Sequence, residues 1–145
     1  MKGSLFERLA YRKLAMSSHR TIILEAHDGS RWRSLSELPT IEDEQINQPL
    51  LWGNPSLSPR PRSAEDFPPL PADCSEGACA RTKGVAYWIK TCFNLAEFKA
   101  GVKNVARVYK DHSPRVMAEM KGAIAMAEVL AAGDIPVRFI IFLDY

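Results

Sequence analysis

The sequence predicts one α+β domain, built on a sheet of about four strands, antiparallel or mixed, with two helices packed on one face. Three observations carry this. Residues 84–145 read strand, helix, helix, strand, with a helix signal at almost every junction. Asp28-Gly29 sits between two strand-like runs, as in a two-residue hairpin. Phe139 to Leu143 are five apolar residues in a row, the pattern of a central strand covered on both faces. The domain then divides into an N-terminal helix and hairpin over 4–38, a proline-rich loop over 39–83 and the core over 84–145.

In chain order, Ser4–Met16 reads as a short amphipathic helix, with Leu5, Phe6, Leu9 and Leu14 opposite Arg8, Arg12 and Lys13. The alternative is a mobile basic arm. Arg20–Ala26 is strand-like around Thr21-Ile22-Ile23-Leu24, and Arg31–Leu35 is the return strand with Trp32 as its largest anchor. The acidic run Glu42-Asp43-Glu44 suits a solvated turn or the first turn of a helix.

Pro49–Pro71 holds seven of the ten prolines and must be extended or loop-like for much of its length. Leu50, Leu51, Trp52, Leu57, Phe67 and Leu70 stud it. They either drape over the domain or face a partner, and Trp52 and Phe67 are the candidate loop anchors. Phe67-Pro68-Pro69-Leu70-Pro71 resembles a polyproline ligand. Ala72–Lys83, with its small residues, reads as a linker.

Val85–Phe93 alternates at period two and is rich in aromatic and β-branched residues, hence a strand. Helix 94–111 starts at Asn94, whose side chain can cap the free first-turn amides, with Glu97 completing a capping box and Phe93 and Phe98 placed as a staple. Its apolar stripe is Leu95, Phe98, Val102, Val105 and Tyr109. Gly101 either weakens the helix or admits a close neighbour. Helix 114–132 begins at Ser113-Pro114, a cap followed by proline at the first helical position, and Gly133 is the expected left-handed terminator.

Composition excludes more than it assigns. Nineteen basic residues against 17 acidic leave no global charge to draw nucleic acid or membrane, so any such binding rests on local patches. Glu7, Arg8, Arg12 and Lys13 interrupt any signal-peptide core, and no apolar run spans a bilayer. Three cysteines suggest reduced thiols and a cytoplasmic location.

Cys74 and Cys79, with four residues between them, lie at the loose end with no second pair to complete a zinc site, so no metal is expected. A reversible Cys74–Cys79 disulfide is geometrically feasible, but a reducing cytosol disfavours it. No nucleophile elbow, phosphate loop or dinucleotide fingerprint occurs, so no cofactor and no catalytic residue are expected. His19, His27 and His112 accompany no nucleophile motif, and Glu119 and Glu128 lie too many turns apart to share a site.

One surface remains. Lys99, Lys103, Arg107 and Lys110 recur at four, four and three, which sets four cations on one helical face, with Arg115 and Lys121 as extensions. Arg31 and Arg33 flank Trp32, the cation–aromatic mixture used against single-stranded nucleic acid. The expectation is a small non-catalytic accessory or inhibitor protein, of a bacterial or phage kind, acting on a larger macromolecule. A protein partner is preferred to nucleic acid. A regulator that binds nucleic acid through the basic face, and an enzyme whose site only the fold assembles, are the alternatives.

Overall fold

In the computed structural model the described residues are 20–38, 46–57, 66–81, 89–111 and 113–143. The N-terminal helix 4–16, the acidic run, the middle of the proline-rich segment, Val85–Trp88, His19 and His112 lie outside them. Four strands, β1 (Arg20–His27), β2 (Trp32–Leu38), β3 (Ile89–Phe93) and β4 (Val137–Leu143), form one sheet in the order β2-β1-β4-β3. Every pairing is antiparallel, so the sheet is not mixed. The two middle strands are the most buried, because central strands have both faces covered.

One face carries the main core. Ile22 and Leu24 of β1, Phe139, Ile141 and Leu143 of β4, and Ile89 and Phe93 of β3 point to it. It is covered by α3 (Leu95–Val108) and α4 (Pro114–Ala132) through Phe98, Val102, Val105, Met117, Met120 and Ala127. Phe98 stacks on Phe139, with ring centroids 3.9 Å apart and planes 7° from parallel. Fully burying a side chain of this size contributes about 1.5–3 kcal/mol.

The opposite face is smaller. Ile23, Ile140 and Phe142 meet Ala78 of α2 (Glu76–Arg81), with Leu70, Cys74 and Cys92 packed around them. Phe67 belongs to the main core and Leu70 to this second cluster, so the chain between them passes from one face of the sheet to the other.

Several local expectations change. The hairpin turn is not two residues long. Pairing ends at His27↔Trp32, which leaves the four residues 28–31. The Asp28 carboxylate takes over, accepting from the amides of Ser30 and Arg31 at 2.9 Å, while Gly29 supplies φ +96°. The strand register shifts between Leu24 and Glu25, so Leu35 has no partner across the ladder and is exposed.

The stretch from Pro49 is not loop throughout. α1 (Asn47–Trp52) contains Pro49 in its first turn, where a missing amide costs nothing. It lies so close to α3 that a Cβ on Gly101 would come within 2.4 Å of the Leu50 carbonyl. Gly101 is therefore the close-approach residue, and Asn104 Nδ2 ties the contact by donating to the Pro49 carbonyl at 2.9 Å.

Nor is 72–83 a plain linker. Ser75 caps α2, its hydroxyl accepting from the Ala78 amide at 3.3 Å. The Asn94–Glu97 capping box forms in both directions at 2.8 Å. Ser113 makes no side-chain cap, and Pro114 alone marks the start of α4. At its end Gly133 keeps φ −90°, and Asp134 takes the left-handed position at φ 61°. The Ile135 amide then reaches the Leu130 carbonyl at 3.0 Å in a Schellman closure, with Asp tolerated there because its short polar side chain suits that region.

Candidate functional site

Two surfaces gather the residues that composition singled out. On the outer side of the main layer, α3 and α4 leave a groove of about 420 Å³. Ala100, Val102 and Ala106 of α3 and Met117 and Ile124 of α4 make its floor, because these are the flanks of the two buried stripes. Lys99 and Lys103 rim it from α3 and Lys121 from α4. Lys99 meets Glu128 at 3.7 Å, with both side chains about half exposed. Among the described residues no ion pair forms at Lys103 or Lys121, so their charge is directed at solvent over an apolar floor.

The rest of the basic stripe continues past the groove. Arg107 donates to the Asn104 side chain at 2.7 Å, and Lys110 is exposed in the turn after α3. Arg115 is held by Glu119 one turn on, at 3.0 Å. The structure thus brings Lys99, Lys103 and Lys121 together and leaves Arg107 near the end of α3. The helix stops at Val108 instead of running to 111, because Tyr109 turns extended at φ −108° and ψ 92°, so Lys110 drops out of the helical row.

The second surface lies on the other side of the sheet, around Arg138. Glu25 and Arg138 are cross-strand partners in β1 and β4 and face the same way. Arg138 Nε donates to Glu25 Oε1 at 2.6 Å, and the other carboxylate oxygen accepts from the Ser75 amide at 2.7 Å. The guanidinium also donates to the Asp73 carboxylate at 3.1 Å and to the Asp73 carbonyl at 3.3 Å. It lies over the Trp32 ring, 3.8 Å from its centroid, while His27 meets the same indole edge-on at 5.2 Å.

The hydrogen bond from Arg138 holds the Asp73 carboxyl below its ordinary value, with burial opposing the shift and a Trp32 hydrogen bond assisting it. Asp28 is likewise depressed, first by the Arg31 and Ser30 amides and then by Arg33. Beside this cluster is a cavity of about 500 Å³, walled by Trp32 and Ser34 on one side and Asp73, Ser75 and Gly77 on the other.

The remaining predicted residues fall as follows. Trp32 already has Arg138 on one face, Arg31 lies 3.6 Å from Glu76, and Arg33 is held by Asp28. Trp52 is half-buried against the main core, and Phe67 is only 8% exposed within it. Sequence reasoning passed over Glu25 and Arg138. The available signal was one acid and one base, each next to a run of apolar strand residues, Ile22–Leu24 and Phe139–Leu143, where an unpaired buried charge is not tolerated.

Among the described residues, no group of three His, Cys, Asp or Glu side chains is placed to hold a metal ion, and no helix is long and apolar enough to cross a membrane. No protein-family model, no curated protein and no solved structure matches this chain.

Proposed function

We propose that this protein is a small non-catalytic binding module, an accessory or inhibitor protein of the cytoplasm. In this reading it holds an acidic, apolar-faced segment of a larger protein in the groove between α3 and α4. The observation that carries the proposal is the pairing of an apolar floor with a lysine rim at Lys99, Lys103 and Lys121. A helix or strand with acidic flanks and an apolar face complements both features. The apolar contact supplies affinity, and the charges set orientation and encounter rate. Phe67 takes no part in this reading, since its ring is committed to the core.

Nucleic-acid binding is the second reading. It draws on the row Lys99, Lys103 and Arg107, which continues past the groove along α3, with Lys110 in the turn that follows the helix. The two differ in which residues matter. Phosphates would use the whole row and give an affinity that falls steeply with salt. A protein segment would depend on Lys103, Lys121 and the Ile124 floor.

The test is affinity capture from native lysate, with and without nuclease, using the wild-type chain and a Lys103→Glu/Lys121→Glu variant. The expected result is a stoichiometric protein partner that survives nuclease and is lost from the variant, while far-UV circular dichroism of the variant stays unchanged. Recovery of nucleic acid alone, abolished by nuclease, would transfer the proposal to the second reading.

A further inference from the structure

The three cysteines are not joined by a disulfide. Cys74 and Cys92 pack against the smaller face of the sheet, and Cys79 lies on α2, whose Ala78 covers that face. They are not equivalent. Ser75 caps α2, so Cys74 is the residue before the cap and Cys79 is the fourth residue of the helix. Those are the two positions, N′ and N4, that a hydrophobic staple often brings into contact at a helix start. Here they hold two sulfurs, 2.6 Å apart, closer than the about 3.5–4.0 Å optimum even of packed carbon atoms.

The backbone on either side of the pair is fixed. The Cys74 amide donates to the Pro71 carbonyl at 3.3 Å, and the Cys79 amide to the Ser75 carbonyl at 2.8 Å. The residues between are anchored to the sheet through the Ser75 amide on Glu25. Cys92, by contrast, lies on β3 and packs among apolar side chains.

We propose that Cys74 and Cys79 are a redox pair, joining in a reversible intramolecular disulfide while Cys92 stays a thiol. The oxidant is a low-molecular-weight disulfide such as oxidised glutathione. One protein thiolate attacks it, releasing one small thiol and forming a mixed disulfide. The second protein thiolate displaces the other small thiol and closes the bond. Two protein thiols lose two electrons and two protons in total, and the small disulfide gains them as two thiols. A reversible pair of this kind is the form that a disulfide takes in a reducing compartment.

Burial, with the neighbouring Cys79 thiol next in importance, pushes Cys74 up to about 12, and burial pushes Cys92 up to about 11. Because the thiolate is the attacking species, closure is slow at neutral pH and accelerates as pH rises.

The test is to equilibrate the purified full chain at graded ratios of reduced to oxidised glutathione. Samples are then quenched in acid, alkylated and read by intact mass and peptide mapping. The expected result is loss of two alkylatable thiols with no glutathione retained, a linkage mapped between residues 74 and 79, and Cys92 labelled at every ratio once the chain is unfolded. Cys92→Ser should titrate like the wild type, and Cys79→Ser should retain all its labels. Three alkylated cysteines at every ratio, or glutathione adducts without the internal linkage, would overturn the proposal. Because the primary readout is made on the wild-type chain, it does not depend on how well a variant folds.

Discussion

Phe139 and Arg138 are neighbours in β4 that point to opposite faces of the sheet, and they meet opposite kinds of partner. Phe139 enters a broad apolar layer, stacked on Phe98 and surrounded by the stripes of α3 and α4. Arg138 enters a small layer in which one guanidinium serves Glu25, Asp73 and the Trp32 ring at once. The first face is held by area, which is non-directional and tolerant of exchange among apolar residues. The second has little area to offer, and it holds the segment around α2 by a few directional contacts, each costly to leave unmade. The candidate binding groove lies above the first, and the proposed redox pair is set in the second.

The largest effects should separate these two modes of attachment. Phe139→Ala should lower unfolding stability by about 3–5 kcal/mol, as for other large-to-small core changes. Arg138→Leu should fall in the same range for a different reason, because it strands the Glu25 carboxylate in the interior. The distinction lies in rescue. Adding Glu25→Gln to Arg138→Leu removes the stranded charge, keeps an acceptor for the Ser75 amide and should recover much of the loss. Adding Phe98→Ala to Phe139→Ala should deepen the loss. Urea denaturation of the four variants reads both outcomes, and failure of Glu25→Gln to rescue would show that Arg138 acts by packing alone.

A smaller contrast sets two glycines of the helical layer against each other. Gly101→Ala would drive a Cβ into the Leu50 carbonyl, a backbone atom that cannot swing aside, so a cost of about 1–3 kcal/mol is expected. Gly122→Ala has open space and a helical backbone, and it should stabilise by up to about 1 kcal/mol. Paired thermal melts would check the opposite signs.

The smallest effect concerns pH. Asp73 is depressed by Arg138 in the folded chain, so its contact contributes fully above the ordinary value of 3.8 and is lost as pH falls through the lower folded value. With the Asp73 side chain 69% exposed, the contribution to overall stability is slight. An NMR titration of its carboxyl carbon should show a midpoint below 3.8 that returns toward it in Arg138→Leu. A midpoint unaffected by that change would remove Arg138 as the cause.

Much of this architecture could be read along the chain, because its causes are local. The Asn94–Glu97 box needs only a spacing of three, the α3 and α4 stripes need only helical periodicity, and the run Phe139–Leu143 needs only two covers. α1 and α2 escaped because their signals are short. Pro49 reads as a breaker until it is placed in a first turn, and Ser75 reads as linker until Ala78 is seen three residues on. The positive-φ residue after α4 went to Asp134 rather than Gly133, a choice that the geometry of the closing turn makes and residue preference alone does not.

The site divides the same way. That Lys99, Lys103 and Arg107 share a helix face follows from about 3.6 residues per turn, whereas Lys110, expected in the same row, falls beyond the end of α3 at Val108. That Lys121 joins Lys99 and Lys103 around an apolar floor depends on how α4 lies against α3, and no spacing within either helix encodes that. Glu25 meets Arg138 across 113 residues of chain, and their pairing exists only because β1 and β4 adjoin in register. Sequence by itself therefore determined the strands, the two long helices with their buried stripes and the Asn94–Glu97 cap, since these are set by near neighbours. Tertiary structure alone decided which charges face one another and where an apolar floor stays open, since both depend on contacts between residues distant in the chain.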